Sequence, residues 1–328
     1  MLGYVARRLV LMIPTLLAIS LVVFIIIQLP PGDYLTSLVA TSATQGATID
    51  EAELAQLEAR YGLDEPVYVQ YVKWLWGFVQ GDFGWSFGHN RPVAELVWDR
   101  VGWSFAISIL SLILVWFVAF PLGIFSAVRQ YSWGDYLTAV FGFIGLATPD
   151  FLLALLLLYV AFAGFNQSVG GLFSPEFVEA AWSWAKFSDL LQHLWIPIVI
   201  LGTNGIAGLT RIMRANLLDE LRKPYVTTAR AKGFSERRLT FKYPVRVAVN
   251  PLISTSGAIL PGLISGEVIV ATVLSLPTTG PLLLGALRAQ DMYLAASFIM
   301  LLSVLTLFGV LLSDIALAWF DPRIRYTR

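Results

Sequence analysis

Three carboxylates, Asp150, Glu267 and Asp314, sit in or beside long apolar runs. An ionisable group held in hydrocarbon is costly, so by default it points to a solute path, a proton relay or an ion site. Each also has a plain structural reading. Asp150 follows Pro149 and could cap a helix resuming at Phe151. Asp314 lies about one turn before the end of the last apolar run, within reach of an arginine of the tail. Glu267 is the deepest, and Ser254, Thr255, Ser256 and Ser265 precede it. Those hydroxyls could share an aqueous path with it. Asp150, Ser265 and Glu267 are therefore the candidate pathway residues.

Other chemistries are missing. There is no cysteine, which excludes disulfides, thiol catalysis and thiolate metal sites. The two histidines, His89 and His193, form no metal-binding pair, and no metal or cofactor is expected. No lysine follows a glycine, so there is no phosphate-binding Gly-Lys-Ser/Thr loop. Neither a Gly-x-Ser-x-Gly elbow nor a His-Glu-x-x-His helix occurs. The chain is not expected to be an enzyme. Energy for any active work must come through a partner.

The elements that hold these residues are membrane elements. Of 328 residues, 57% are hydrophobic and 13% charged, with mean hydropathy +0.72. Soluble domains carry about 25% charged residues, so a lipid bilayer is the expected surroundings. The formal net charge of zero argues against a nucleic-acid partner. Apolar runs at 9–29, 103–128, 137–164, 191–212, 249–275 and 294–319 each reach the roughly 20 residues a span needs. The first run exceeds a signal peptide's apolar core, and no small-x-small cleavage site follows it, so it is read as a retained span.

The expected fold is all-α and polytopic, with six transmembrane helices, cytoplasmic termini and a small extracytoplasmic subdomain. That orientation puts sixteen of the 22 Lys and Arg inside and six outside, as the positive-inside rule requires. The expected divisions are a tail and first helix (1–29), the subdomain (30–100), a five-helix core (101–321) and a tail (322–328). In the subdomain, Thr48 and Glu51 form a capping-box pattern, Gly62 closes that helix, and Pro66 opens a second with Val67, Tyr71, Trp74, Leu75 and Phe78 on its apolar side. The Gly- and aromatic-rich turn GDFGWSF (81–87) follows, its aromatics read as core or interfacial anchors. Gly202, Gly205 and Gly208, and the pair Gly262 and Gly266, mark close helix packing.

Ten of the 22 Lys and Arg fall between Arg211 and Arg246, within an expected cytoplasmic loop at 213–248. Pro224, Gly233 and Pro244 divide the stretch. Leu217, Leu218 and Leu221, then Tyr225, Val226 and Ala229, recur at helical spacing. Short amphipathic helices with a turn at Gly233 are expected. Cytoplasmic loops are basic in any case, but that accounts neither for the length nor for the amphipathic pieces, and a docking surface does.

On these residues the chain resembles the permease subunits of binding-protein-dependent ABC importers, in the dipeptide/oligopeptide family. The resemblance runs nearly end to end: RRLVLMIPTL (7–16), LPPGD (29–33), GDFGWSF (81–87), YVTTARAKGFSERRL (225–239) and DPRIR (321–325). Such permeases carry a Glu-Ala-Ala-x-x-x-Gly loop forming a coupling helix that fits a cleft on the ATPase. Here Thr227, Thr228 and Ala229 stand for Glu-Ala-Ala, with Gly233 in register. By resemblance the coupling residues are Tyr225, Thr227, Thr228, Ala229, Arg230, Lys232, Gly233, Glu236, Arg237 and Arg238. Ala271 falls where the family often has a glutamate, and Glu267 lies one turn earlier. YPVR (243–246) replaces the more usual Ile-x-Leu-Pro.

The resemblance implies a homologous second permease, two ABC ATPase subunits and an extracytoplasmic solute-binding protein, in a bacterial or archaeal plasma (inner) membrane. The expected function is inward movement of a small oligomeric solute, oligopeptide or oligosaccharide, by alternating access. An ion-coupled secondary carrier using Glu267 is the alternative.

Overall fold

The structure, a computed structural model, describes residues 2–29, 35–36, 38–39, 65–165, 167 and 170–320, and of residues 2–4, 257, 258, 260–266, 319 and 320 the backbone alone. The capping box at Thr48 and Glu51, Gly62, most of LPPGD, the terminal DPRIR, and the side-chain environments of Ser265, Gly262 and Gly266 lie outside the described residues. In chain order the helices are α1 (Leu2–Gln28), α2 (Val67–Gln80), α3 (Val93–Val128), α4 (Trp133–Ala147), α5 (Asp150–Phe165), α6 (Trp184–Leu221), α7 (Pro224–Ala231), α8 (Glu236–Lys242), α9 (Pro244–Ala248), α10 (Asn250–Val273), α11 (Thr279–Arg288) and α12 (Met292–Phe320). Strands β1 (Trp85–Ser86) and β2 (Arg91–Pro92) form a small antiparallel hairpin before α3, so the fold is not purely helical.

Among the described residues four helices are long and apolar enough to cross a bilayer: Val5–Gln28 of α1, α3, α6, and Met292–Ala318 of α12. The run at 137–164 is not one straight span. It breaks into α4 and α5, bent by 106°, and adds a fifth span only if the two halves count together. The break lies where the chemistry puts it. Proline disfavours helical backbone in the residue before it, and Thr148 ahead of Pro149 is extended (φ −88°, ψ 120°). Thr148 closes α4 by donating its backbone N–H to the Ile144 carbonyl at 3.0 Å. The run at 249–275 is a 24-residue helix, α10.

The chain divides into two compact units. One comprises 6–103 and 278–307. Its core joins Phe83, Val93, Val97, Leu282, Leu294 and Phe298, and a second cluster joins Val23, Phe24, Trp74, Met292 and Met300. Trp74 donates its indole N–H to Ser297 Oγ at 3.0 Å, and Ser297 donates to the Phe83 carbonyl at 3.0 Å. Tyr71, Leu75 and Phe78 join Trp74 on the packed side of α2, while Val67 is exposed. Phe83 and Phe87 are buried, whereas Trp85 is exposed. Helix α11, which lies between the last two apolar runs, buries Thr279, Gly280, Leu282 and Ala286.

The other unit comprises 1–5, 104–277 and 308–328. Its core joins Val115, Ala119 and Ile124 of α3 to Leu209, Met213 and Leu217 of α6, and to Val245, Ala248 and Leu252. Small residues let these helices close. A Cβ added at Gly205 would lie 2.8 Å from Val115 Cγ2, and one at Gly145 would lie 2.6 Å from Thr203 Cγ2. The closest approach is Gly123, where an added Cβ would fall 2.5 Å from Met213 Cβ and 3.1 Å from the Thr210 carbonyl. Gly123→Ala is expected to cost about 1–3 kcal/mol by overpacking, read as a lower Tm in detergent. Gly208→Ala, whose added Cβ meets nothing within 4 Å, is expected to leave Tm unchanged or raise it.

Candidate coupling surface and pathway residues

Helix α6 has 38 residues and so runs roughly 57 Å, well beyond the ~30 Å of hydrocarbon. Arg211, Arg214, Asp219 and Glu220 belong to this helix, and the expected loop at 213–248 begins as its continuation. After Leu221 the chain turns through α7, α8 and α9. Pro224 and Pro244 open α7 and α9 at the first helical position, where a missing N–H costs nothing.

The turn between α7 and α8 is a Schellman motif. Gly233 adopts φ +79°. Its N–H reaches the Arg230 carbonyl at 3.0 Å, and the Phe234 N–H reaches the Ala229 carbonyl at 3.4 Å. Val226, Ala229 and Leu239 are buried beneath it with Phe234 and Tyr243 packed against them, so the helix pair has a small core of its own. Across the turn Arg230 grips Glu236 with two bonds, Nε to Oε1 at 2.5 Å and a terminal nitrogen to Oε2 at 3.0 Å. That grip holds the Glu236 carboxyl below, and the Arg230 guanidinium above, its ordinary value. Tyr225 donates to Glu220 at 2.6 Å, and burial together with that carboxylate pushes its hydroxyl up, so it stays protonated.

The structure therefore sorts the ten expected coupling residues. Tyr225, Thr227, Thr228, Arg230, Lys232, Gly233, Glu236, Arg237 and Arg238 are exposed, while Ala229 points into the small core. Arg230, one of the four basic coupling residues, is already engaged by Glu236. Lys232, Arg237 and Arg238 have no acidic partner among the described residues. Arg238 lies 5.7 Å, and Lys242 5.4 Å, from the Phe234 ring centroid.

A second polar centre escaped the sequence reading. Asp135, in the first turn of α4, is buried and accepts two bonds from Arg214 of α6, both at 2.8 Å. It also accepts from Ser126 Oγ and from the Tyr131 backbone N–H at 2.9 Å, while Ser132 Oγ caps its own N–H at 3.3 Å. One carboxylate thus ties the end of α3 and the α3–α4 turn to α6, about two turns before α6 ends at Leu221. The sequence signal was Ser132 three residues before Asp135 at a helix start.

The pathway candidates are placed differently from one another. Asp150 opens α5 and accepts from Asn204 of α6 at 3.0 Å, which fixes α5 to α6. Glu267 lies in α10 and is fully buried, with 0% exposure. Near it in sequence, Ser254 is exposed, and Ser256 accepts the Trp116 indole N–H at 2.8 Å while donating to the Leu252 carbonyl. Asp314 lies in α12, and the tail arginines expected to reach it are outside the described residues.

In the other unit, Asp291 holds the β-hairpin to the start of α12. It accepts from Ser86 Oγ at 2.6 Å and from the Gly88 and Leu294 N–H groups at 3.0 and 3.2 Å. Burial raises its carboxyl above the ordinary range, against these donors, which favour the anion. A raised folded-state value gives a contribution fully present below the ordinary ~3.9 and lost as pH rises through the folded value. Asp291→Asn is expected to flatten this acid-side dependence, measured as Tm against pH in detergent. An unchanged profile would assign it to another group.

Among the described residues no group of three or more His, Cys, Asp or Glu side chains could hold a metal ion. Long apolar helices joined to an exposed basic helix pair define a membrane protein with a charged surface at the end of one long helix. Comparison with known proteins gives the family. Residues 119–326 match the binding-protein-dependent transport system inner membrane component, and residues 1–110 match the N-terminal region of such membrane components. The chain is 37% identical over 327 residues to the oligopeptide transport system permease protein AppB of Bacillus subtilis (strain 168), covering 99% of this chain and 100% of that one. It is 33% identical to the glutathione transport system permease protein GsiC of Escherichia coli (strain K12), over 99% and 100% of the two chains. It is 31% identical to the peptidoglycan transport system permease protein YejB of Agrobacterium fabrum, over 99% of each. The chain belongs to the binding-protein-dependent transport system inner membrane component family, the membrane permeases of ABC importers. It is a transport subunit, and its class works with a solute-binding protein and an ATPase.

Proposed function

We propose that this chain is one of two homologous permeases that move a short peptide inward by alternating access, driven by two ATPases that engage the segment 225–239. In this reading six helices span the membrane, with α10 and the bent α4–α5 pair as the two beyond the four long apolar helices, and both termini are cytoplasmic. The relatives are named for an oligopeptide, a peptidoglycan and a glutathione system, which favours a peptide-containing solute over an oligosaccharide.

The observation that carries the coupling role is the α7–α8 pair. It has its own core, an internal Arg230–Glu236 clamp, and an outward face bearing Lys232, Arg237 and Arg238. Such a pair can move as a rigid body, which a transmitting element must do. Nucleotide-driven closure of the ATPases displaces the pair, and α6, continuous into the membrane, carries the displacement to the spans.

The test is a pull-down of the tagged chain in mild detergent, expressed with its neighbouring genes, followed by an ATPase assay. A second permease and an ATPase are expected to co-purify, with ATP turnover lost when 225–239 is altered. A chain that purifies alone and still transports would overturn the reading.

A further inference from the structure

A cavity of about 590 Å³ lies between α4 and α6, bounded by the end of α3, within a single compact unit. Its walls are apolar, with Leu137, Phe141, Phe143, Ile206 and Ala207 among them. Its polar end is different. Arg211 lies there, 6.0 Å from the Phe143 ring centroid and without an acidic partner among the described residues. Arg214 is neutralised by Asp135, so Arg211 gives this end a net positive charge. Tyr131, Trp133 and Tyr136 stand exposed at the α3–α4 turn beside it, the placement of an aromatic belt at headgroup depth.

We propose that this cavity holds an anionic phospholipid of the cytoplasmic leaflet, its phosphate on Arg211 and part of an acyl chain against Phe141, Phe143 and Ile206. Charge complementarity selects the occupant: an apolar slot ending in one uncompensated guanidinium matches a negative headgroup on a hydrocarbon tail, and basic pockets between spans on that side bind such headgroups. The bound lipid braces α4 against α6 beside the Asp135–Arg214 pair, at the root of the segment proposed to receive the ATPases. The leaflet assignment rests on the orientation given under the proposed function.

The assembled transporter is titrated in detergent with phosphatidylglycerol or phosphatidylcholine. Bound lipid is counted by native mass spectrometry, and ATP turnover is followed on the same samples. Phosphatidylglycerol is expected to be retained over phosphatidylcholine, with retention reduced about fivefold by Arg211→Gln. Ala139→Phe, which narrows the cavity from an exposed wall position, is expected to reduce binding of both lipids. Equal retention of the two lipids, unchanged retention in both variants, or a second permease's helix cross-linking into the cavity would each overturn the proposal. Failure of any ATPase to co-purify would count against the importer reading instead, while the lipid counts on the chain alone would still decide the cavity.

Discussion

Asp135→Ala is expected to lower the stability of the α3–α4–α6 region by about 2–4 kcal/mol, the scale for breaking a buried ion pair from one side, reduced because Arg214 keeps 31% of its side chain exposed. The loss has several parts. Arg214 loses two bonds at 2.8 Å, and the Ser126 hydroxyl and Tyr131 N–H lose their acceptor. Asp135→Asn keeps one acceptor and the shape, so an intermediate loss is expected. Adding Arg214→Ala to Asp135→Ala removes the stranded cation, and the double variant is expected to lose less than the sum of the singles, the signature of direct coupling. Thermal unfolding in detergent reads the wild type, the singles Asp135→Ala, Asp135→Asn and Arg214→Ala, and the double variant. A single-variant Tm equal to wild type would mean that water replaces the pair at no cost, and the pair would then not be what joins α4 to α6.

That pair also shows where sequence reading stops. Asp135 and Arg214 are 79 residues apart, and nothing local in either segment announces the other. Arg214 was legible only as one charge among ten in a basic stretch. The structure makes it part of α6, because no residue from Arg211 to Leu221 stops a helix. The Thr148–Pro149 break was legible in principle, since a residue before proline leaves the helical region. A helix resuming after Pro149 is expected there, but hydropathy over 137–164, apolar in both halves, gives no sign of the 106° bend. Helix α11, ten residues between two apolar runs, is too short to show as a span and has Pro277 and Gly280 around its start. By contrast the α7–Gly233–α8 division was written locally, in proline at a helix start and glycine at a helix end, and local signals of that kind survive tertiary packing. Glu267 was legible as a deep carboxylate; what its burial serves depends on neighbours far along the chain.

Gly233→Val is expected to reduce uptake and ATP turnover by tenfold or more while leaving membrane insertion intact. The cause is backbone, not space. An added Cβ at Gly233 meets nothing within 4 Å, but φ is +79°, where a residue other than glycine costs about 1–2 kcal/mol and a β-branched one more. The Schellman turn can relieve that cost only by giving up the Gly233 and Phe234 N–H bonds that end α7, and with them the register that lets Arg230 meet Glu236. A cost of about 1.4 kcal/mol is already tenfold in an equilibrium between the docked and undocked arrangement. Gly233→Asn supplies the control, since asparagine tolerates the left-handed region, and most of the activity is expected to survive. Arg230→Ala provides the converse, an unstrained turn without its clamp, with a smaller loss expected because both partners are exposed. If the valine variant transports as wild type, the geometry of this turn is not what couples the chain to its ATPases. If it loses ATPase co-purification as well as uptake, the turn acts in assembly, and if it keeps the complex but loses turnover, the turn acts in transmission.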